Sequence, residues 1–396
     1  MIGKEHGKKI LVQLVSEQTI PNILAVHHFS PDEVLFISTD AMERQGKTAA
    51  IVRSLSRLGI PLENRYASIV VREDSLLDCH RKLDSWMDGR EDSEFIVNLT
   101  CGTKIMAIAA FKFFEDYPSR MIYVPLPKNE YITPFPKKLN APAVPLSLRL
   151  DVVSYLAAYG LQVINEWSMV RRREDGIKRK ELAGWIALNY DKVKNLLVWL
   201  GGALREHRDD NCDYHFRAER KEASLQEKEL LATMGFSYDG SVVSKRLTRS
   251  EIGFLTGDWL EDYCFNEVRA MLGQGVDDVV VGLKLKNKDG GDNEFDVMFT
   301  RDNALYFVEC KSLDQHEDRS QNQALYKIGA LSKNFGLRVK SFLLTTAPGI
   351  MKNGEIRPSV LARADQFGAT IIPPGRTCEF RRIVCEKLKL PAAESL

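Results

Sequence analysis

Asp296, Glu309 and Lys311 are the side chains of this 396-residue sequence whose types and spacing best suit joint chemistry. They lie in Asn293-Glu294-Phe295-Asp296-Val297-Met298-Phe299-Thr300 and in Leu305-Tyr306-Phe307-Val308-Glu309-Cys310-Lys311. Both stretches are apolar or alternating over a strand's length, and Arg301-Asp302-Asn303-Ala304 between them is turn chemistry. A hairpin closed on Asp302-Asn303, through either a two- or a four-residue loop, sets Asp296 opposite Glu309 and Glu294 opposite Lys311. Side chains alternate along strands, so these four share one face. Phe295, Val297, Phe299, Tyr306, Val308 and Cys310 share the other, which reads as core. Opposed carboxylates in an apolar sheet repel unless a proton or a cation stands between them. A hard divalent ion suits the pair, with further oxygen ligands from water and a phosphate. Lys311 would orient a water or stabilise a pentavalent phosphate. The alternative is a solvated hairpin with two salt-bridged pairs, an unusual setting for charges at the end of a central apolar strand.

The surrounding elements are expected in a definite order. A helix runs from Gly257 to Leu272 and a strand from Asp278 to Lys286; after the hairpin come a helix from Arg319 to Phe335 and a strand from Arg338 to Thr345. This αβββαβ order, with Asp296 as first acid and Glu309-Cys310-Lys311 as the (D/E)XK end, resembles the PD-(D/E)XK nuclease superfamily. The resemblance implies that Asp296 and Glu309 bind Mg²⁺ or Mn²⁺ with the Cys310 carbonyl as an extra ligand. It also implies a helical acid, for which Glu261 is best placed at the edge of the Leu260, Cys264, Val268 and Met271 stripe; solvent exposure of Glu261 is equally open. Glu261 or Glu294 would complete the shell. Gln323 and Lys327 share a helical face, but Lys327 and Lys333 read as ordinary surface lysines.

Composition is that of a soluble globular protein, 44% hydrophobic and 28% charged, and a formal net charge of +1 excludes a global basic field. Two or three domains are expected. Cys79, Cys101, Cys212, Cys264, Cys310, Cys378 and Cys385 contain no CxxC pair, which fits a reducing cytoplasm rather than structural zinc. Cys212 and His215 have no second pair to complete such a site. No apolar run suggests a signal peptide or a membrane span.

Residues 8–124 alternate strand and helix patterns, which implies a Rossmann-like parallel sheet covered on both faces. Such sheets bind ligands at the carboxyl ends of strands. The first βα turn lacks GxGxxG, and Gly46-Lys47-Thr48 is preceded by Ala41 where a Walker A loop has glycine, so neither a dinucleotide nor ATP hydrolysis is favoured. The loop Asn98-Leu99-Thr100-Cys101-Gly102-Thr103-Lys104 opens an apolar helix. Gly102 permits close approach, and Thr100, Thr103, Lys104 and free helical N–H groups suit a phosphate. An ordinary helix cap by Thr100 or Thr103 explains the same residues equally well.

Asn-x-Thr-x-Gly-Thr-Lys after a Rossmann strand is similar to the signature of CARF domains, sensors of cyclic oligoadenylates in CRISPR defence. Ser16, Gln18 and Thr19 after the first strand, and Thr39 after the second, lie where CARF domains also touch their ligand. A CARF domain followed by a PD-(D/E)XK domain resembles the type III CRISPR ancillary nucleases of the Can/Card kind. The resemblance implies a homodimer, cyclic tetra-adenylate bound across both CARF domains, and metal-dependent cleavage of DNA or RNA. Ser16, Gln18, Thr19, Thr39, Asn98, Thr100, Gly102, Thr103 and Lys104 would then be activator-binding.

Pro125, Pro127, Pro134, Pro136, Pro142 and Pro145 mark a domain boundary, with Lys128 to Thr133 as a possible edge hairpin. The expected organisation is α/β: a Rossmann-like CARF domain over 1–147, a helical, winged-helix-like connector over 148–250, and a restriction-endonuclease-like domain over 251–396. Within the connector Leu150 to Tyr159, Leu182 to His207 and Leu225 to Met234 read as helices. The basic runs Arg171-Arg172-Arg173 and Lys178-Arg179-Lys180 read as solvated loops rather than phosphate contacts, since Glu174, Asp175 and Glu181 are interspersed. Two other functions remain open from sequence: a restriction- or repair-type nuclease without gating, and a non-catalytic nucleotide-sensing regulator.

Overall fold

Short apolar strands need cover on both faces, and helices supply it in each half of the chain. The computed structural model describes residues 7–136, 141–210, 212–286, 292–312, 324–330, 335–336 and 339–390. In the first half, β1 (Lys9–Leu14), β2 (Glu33–Ser38), β3 (Tyr66–Val70), β4 (Glu94–Asn98) and β5 (Ser119–Tyr123) are parallel in the order β3-β2-β1-β4-β5. Helices α1 (Ile20–Phe29), α2 (Asp40–Arg44), α3 (Lys47–Arg57), α4 (Leu76–Met87) and α5 (Lys104–Phe114) connect them. The strand order reverses at β1, so the loops after β1 and β4 flank the point where such sheets open a crevice. The proline-rich segment is less irregular than expected. Glu130–Phe135 forms one strand, β6, antiparallel to β5, and β7 (Val144–Pro145) pairs with it.

Helix α6 (Val152–Ala158) is wedged between the two halves and shares one apolar core with both sheets. Helices α7 (Glu166–Lys178) and α8 (Lys180–Leu204) follow. Beside these helices, β8 (Tyr214–Glu219), α9 (Leu225–Thr233), β9 (Ser237–Tyr238) and β10 (Val242–Leu247) form a three-stranded antiparallel sheet in the order β8-β10-β9, the kind of small sheet a winged-helix-like connector carries. The basic runs differ from expectation. Arg171, Arg172 and Arg173 lie within α7 and only Arg171 and Arg173 are exposed.

Helix α10 (Arg249–Gly253) and a π-helical turn at Phe254–Asp258 lead into α11 (Trp259–Arg269). The second sheet follows: β11 (Asp278–Leu285), β12 (Asn293–Arg301) and β13 (Ala304–Lys311) are antiparallel, then β14 (Val339–Thr345) and β17 (Ala369–Ile372) are parallel. Residues 324–330 form α12, a small hairpin joins β15 (Met351–Lys352) to β16 (Glu355–Ile356), and α13 (Pro358–Gln366) and α14 (Phe380–Leu388) complete the domain. Lys333 and Gln323 lie outside the described residues.

The hairpin register is the expected one, with Val297 facing Val308 and Arg301 facing Ala304 across positive-φ Asp302 and Asn303. The faces differ from expectation. Val281 and Val297 pack in one core, but Leu283 and Phe295, two residues away on each strand, pack in the other. Strict alternation would keep them together. The ladder turns over at Gly282 (φ +67°) and Asp296, which are missing from the paired positions. Phe295 therefore packs on Phe307 and Phe335, with centroids 5.6 and 5.5 Å away. Among the described residues no helix is long and apolar enough to cross a membrane, and all seven cysteines are unpaired.

Candidate active site and sensor loops

The turnover at Asp296 aims its carboxylate across the strand end. Oδ2 accepts the backbone N–H of Cys310 at 2.6 Å, and no Asp296–Glu309 ladder pair forms. Glu309 is only 2% exposed. Its Oε1 lies 2.9 Å from Lys311 Nζ and its Oε2 accepts from Lys327 Nζ at 2.8 Å. Lys327, read from sequence as a surface lysine, comes from α12 with its ammonium 5.4 Å from the Phe295 ring centre. Glu294 is exposed and pairs with Lys284 on β11, not with Lys311.

Glu261 arrives from the other side. Gly257 (φ +152°) lets the start of α11 close on the end of β13: a Cβ there would stand 2.8 Å from Ser312 Oγ. Arg208 reinforces the turn, donating to Asp258 at 2.5 Å and to Thr256 Oγ1 at 3.2 Å. Glu261, Asp296, Glu309, Lys311 and Lys327 line one cavity of about 760 Å³, with Gly201, Gly202 and Arg205 of the connector on its wall. Glu261 is therefore a cavity residue with 19% side-chain exposure, not a solvated helical acid.

The electrostatics are those of buried acids close to one another. Burial and then the Glu309 charge push the Asp296 carboxyl up to about 7, against Lys311, the Cys310 N–H and Lys327. Burial, Asp296 and Asp258 raise Glu261 well above the carboxylate range, opposed by Arg172 and Arg208. On Lys311 burial works against the charge, but Glu309 and Asp296 outweigh it and raise the pKa. This donor set fits a divalent cation, because one bound ion would relieve both acids. It is not a preformed cage: among the described residues no three His, Cys, Asp or Glu groups are clustered tightly enough to hold a metal. The Cys310 thiol is buried in the core and leaves only its backbone for the cavity.

The loops after β1, β2 and β4 separate into scaffold and surface. Asn98 is buried, donating from Nδ2 to Gln13 Oε1 at 2.9 Å and accepting at Oδ1 from the Thr100 N–H at 3.1 Å and hydroxyl at 2.5 Å. Thr100 Oγ1 in turn accepts the Val124 N–H at 2.8 Å. Thr39 and Thr103 cap α2 and α5, accepting from the N–H groups of Met42 and Met106. Thr19 is fully buried and donates to the Ala158 carbonyl at 2.7 Å, so its side chain holds the loop to α6 and is closed to a ligand. Gly102 has φ +75°, and a Cβ there would meet Leu14 Cβ at 3.0 Å. Lys104 is exposed, and Ser16 and Gln18 are half-buried. Gln18 Oε1 accepts the Tyr159 hydroxyl at 3.0 Å, a contact between the first loop and the connector that no local sequence signal announces.

Residues 10–155 match the Card1 CARF domain family and residues 248–390 the Card1-like endonuclease domain family. No curated protein matches. Among solved structures the chain is similar to Can2 from Sulfobacillus thermosulfidooxidans in complex with cyclic tetra-adenylate, at 19% identity and TM-score 0.73, covering 96% of this chain and 98% of that one. It is also similar to protein VC1899 from Vibrio cholerae, at 16% identity and TM-score 0.74 with the same coverage. A type III CRISPR defence DNA nuclease activated by cyclic oligoadenylate shares 18% identity at TM-score 0.50, covering 91% of this chain and 52% of that one. With both family matches on one chain and that shared fold from end to end, this protein belongs to the Can/Card kind of type III CRISPR ancillary nuclease, a CARF sensor joined to an endonuclease domain.

Proposed function

We propose that this chain is a cyclic-oligoadenylate-activated, metal-dependent endonuclease. The observation that carries the reading is the meeting of Asp296, Glu309, Lys311 and Glu261 in one cavity at the end of a central sheet. Asp296, Glu261 and, on release from one lysine, Glu309 would hold Mg²⁺ or Mn²⁺ with the Cys310 carbonyl. Such an ion, when bound, lowers the pKa of a water towards neutrality and neutralises phosphate charge. The chain's own groups do the rest. The Cys310 N–H fixes Asp296, the two lysines fix Glu309, and Lys311 presents a protonated ammonium to a water or a scissile phosphate. Arg205 and Arg208 offer further cations to a nucleic-acid strand, DNA or RNA.

Cyclic tetra-adenylate is the activator we assign, held by backbone and side chains of the Ser16–Gln18 and Thr100–Lys104 loops in a homodimer. The exposed Leu76 and Leu77 of α4 and Ile108 of α5, on two helices that pack together, offer the apolar surface for that dimer. The link to the nuclease is α6. Its end bonds Gln18 and Thr19, while Tyr155 donates to the Phe335 carbonyl at 2.9 Å, beside the core that seats α12 and Lys327. Cleavage assays with and without the ring test the whole reading.

A further inference from the structure

Helix α7 belongs to the connector, yet one of its side chains reaches the acids of the cavity. Arg172 Nη2 lies 3.3 Å from Glu261 Oε2, and Nη1 pairs with Oδ1 of the fully buried Asp262. Among the described residues, Arg172 is the hydrogen-bond donor found on the Glu261 carboxylate. The stem of the same arginine crosses β11 at its kink: a Cβ on Gly282 would meet Arg172 Cγ at 3.3 Å. Gly282 lies across from Asp296, where the ladder turns over. Asn165 clamps this kink too, donating to the Gly282 carbonyl and accepting the Lys284 N–H, both at 2.8 Å. Gly176 brings α7 against α11, where Asn266 Nδ2 donates to its carbonyl at 2.8 Å. One arginine side chain thus meets both elements, its guanidinium on α11 with Glu261 and its stem at the kink across from Asp296.

We propose that Arg172 is the positioning residue of this site, setting the direction and separation of Glu261 and Asp296 for a divalent cation. The proposal rests on the metal-dependent nuclease reading. Glu261 and Asp296 repel, so a Glu261 without a fixed partner would swing into the open cavity, where water solvates it. Arginine suits the task because its rigid planar fork holds two carboxylates in fixed directions, whereas a lysine is a point charge on a flexible stem. A cation that merely competed with the metal would act in the opposite direction, and its removal would tighten metal binding.

Arg172→Gln alone leaves the buried Asp262 only the more distant Arg179, at 3.8 Å, so the informative variant is Arg172→Gln with Asp262→Asn, which removes both members of the closer pair. Calorimetric titration with Mn²⁺, without nucleic acid, compares it with wild type and with Asp262→Asn. Affinity is expected to fall about tenfold, the usual scale for losing a residue that orients a ligand, with the melting temperature held. Adding Glu261→Gln should then cost less than about twofold more, since both changes act through one carboxylate. Unchanged or tighter Mn²⁺ binding by the folded variant overturns the proposal, as does full additivity with Glu261→Gln. Weakened Mn²⁺ binding with cleavage unchanged would instead support the hold on the acids and count against the nuclease reading of the cavity.

Discussion

The Asp296 carboxylate accepts the backbone N–H of Cys310 at 2.6 Å, joining the first acid of the site to the strand that carries the second. A simple continued ladder would have faced Asp296 with Glu309, charge against charge. Instead the sheet turns over at Gly282 and Asp296, and Glu309 points to the face where Lys311 and Lys327 meet it. The two acids stay close enough that each Glu309 charge is felt at Asp296, yet each has its own donor.

That arrangement has a pH signature. Asp296 rises from 3.8 to about 7 in the folded chain through burial and Glu309. Between those values the folded state keeps a proton that the unfolded state has lost, so this group's contribution to stability falls as pH rises through the interval. Without metal, Asp296→Asn should stabilise the protein by about 1–3 kcal/mol at pH 8, after allowance for partial exposure, and by almost nothing near pH 4. Thermal melting at the two pH values checks this; an equal gain at both would contradict it.

The sensor loop separates two kinds of substitution. Lys104 is exposed at the start of α5, and Lys104→Ala should weaken cyclic tetra-adenylate binding by about tenfold while leaving the melting temperature unchanged. Asn98 is buried under the same loop, and Asn98→Ala should destabilise the protein by about 1–3 kcal/mol because Gln13 and Thr100 lose a partner. Calorimetric titration and melting of both variants discriminate; an unchanged ring affinity in Lys104→Ala would remove that residue from the pocket.

Tyr159 places a hydroxyl on Gln18 and belongs to the segment that seats Phe335. Tyr159→Phe should raise the ring concentration needed for half-maximal cleavage by about five- to tenfold, a coupling of ordinary size, with no change in ring-free background. Dose–response curves measure it, and a superimposable curve would free α6 from the link.

An apolar surface on α4 and α5 should be covered in the working protein. Leu77 is 59% and Ile108 55% exposed. Leu77→Glu with Ile108→Glu should convert a dimer to a monomer in sedimentation at micromolar protein, without loss of helical signal. A wild type that sediments as a monomer would contradict the dimer outright.

Much of this was readable before the structure, for physical reasons that differ by residue. The hairpin register followed from Asp302-Asn303, whose short polar side chains tolerate positive φ. The βα loops followed from alternating apolar runs. Period-two alternation puts Phe295 on the wrong face because it has no knowledge of a glycine on the neighbouring strand. Arg172 was invisible as a site residue because its partners lie about ninety positions away and its neighbours are ordinary charges. Lys327 is hidden for the same reason: a single lysine on a helix is usually solvated, and only the fold brings it to Glu309. The bounds of the connector's short strands are hidden in sequence by a dominant helical pattern, and α13, β17 and α14 lie past the last motif.

The most direct measurement is cleavage of supercoiled plasmid and of labelled single-stranded DNA and RNA, with Mn²⁺ and cyclic tetra-adenylate each present or absent, by wild type, Glu309→Gln and Lys311→Ala. Cleavage by wild type is expected only when both are present, with a loss of about a hundredfold or more in each variant and ring binding intact. Cleavage with metal alone would contradict the gating, and full activity in either variant would contradict the site.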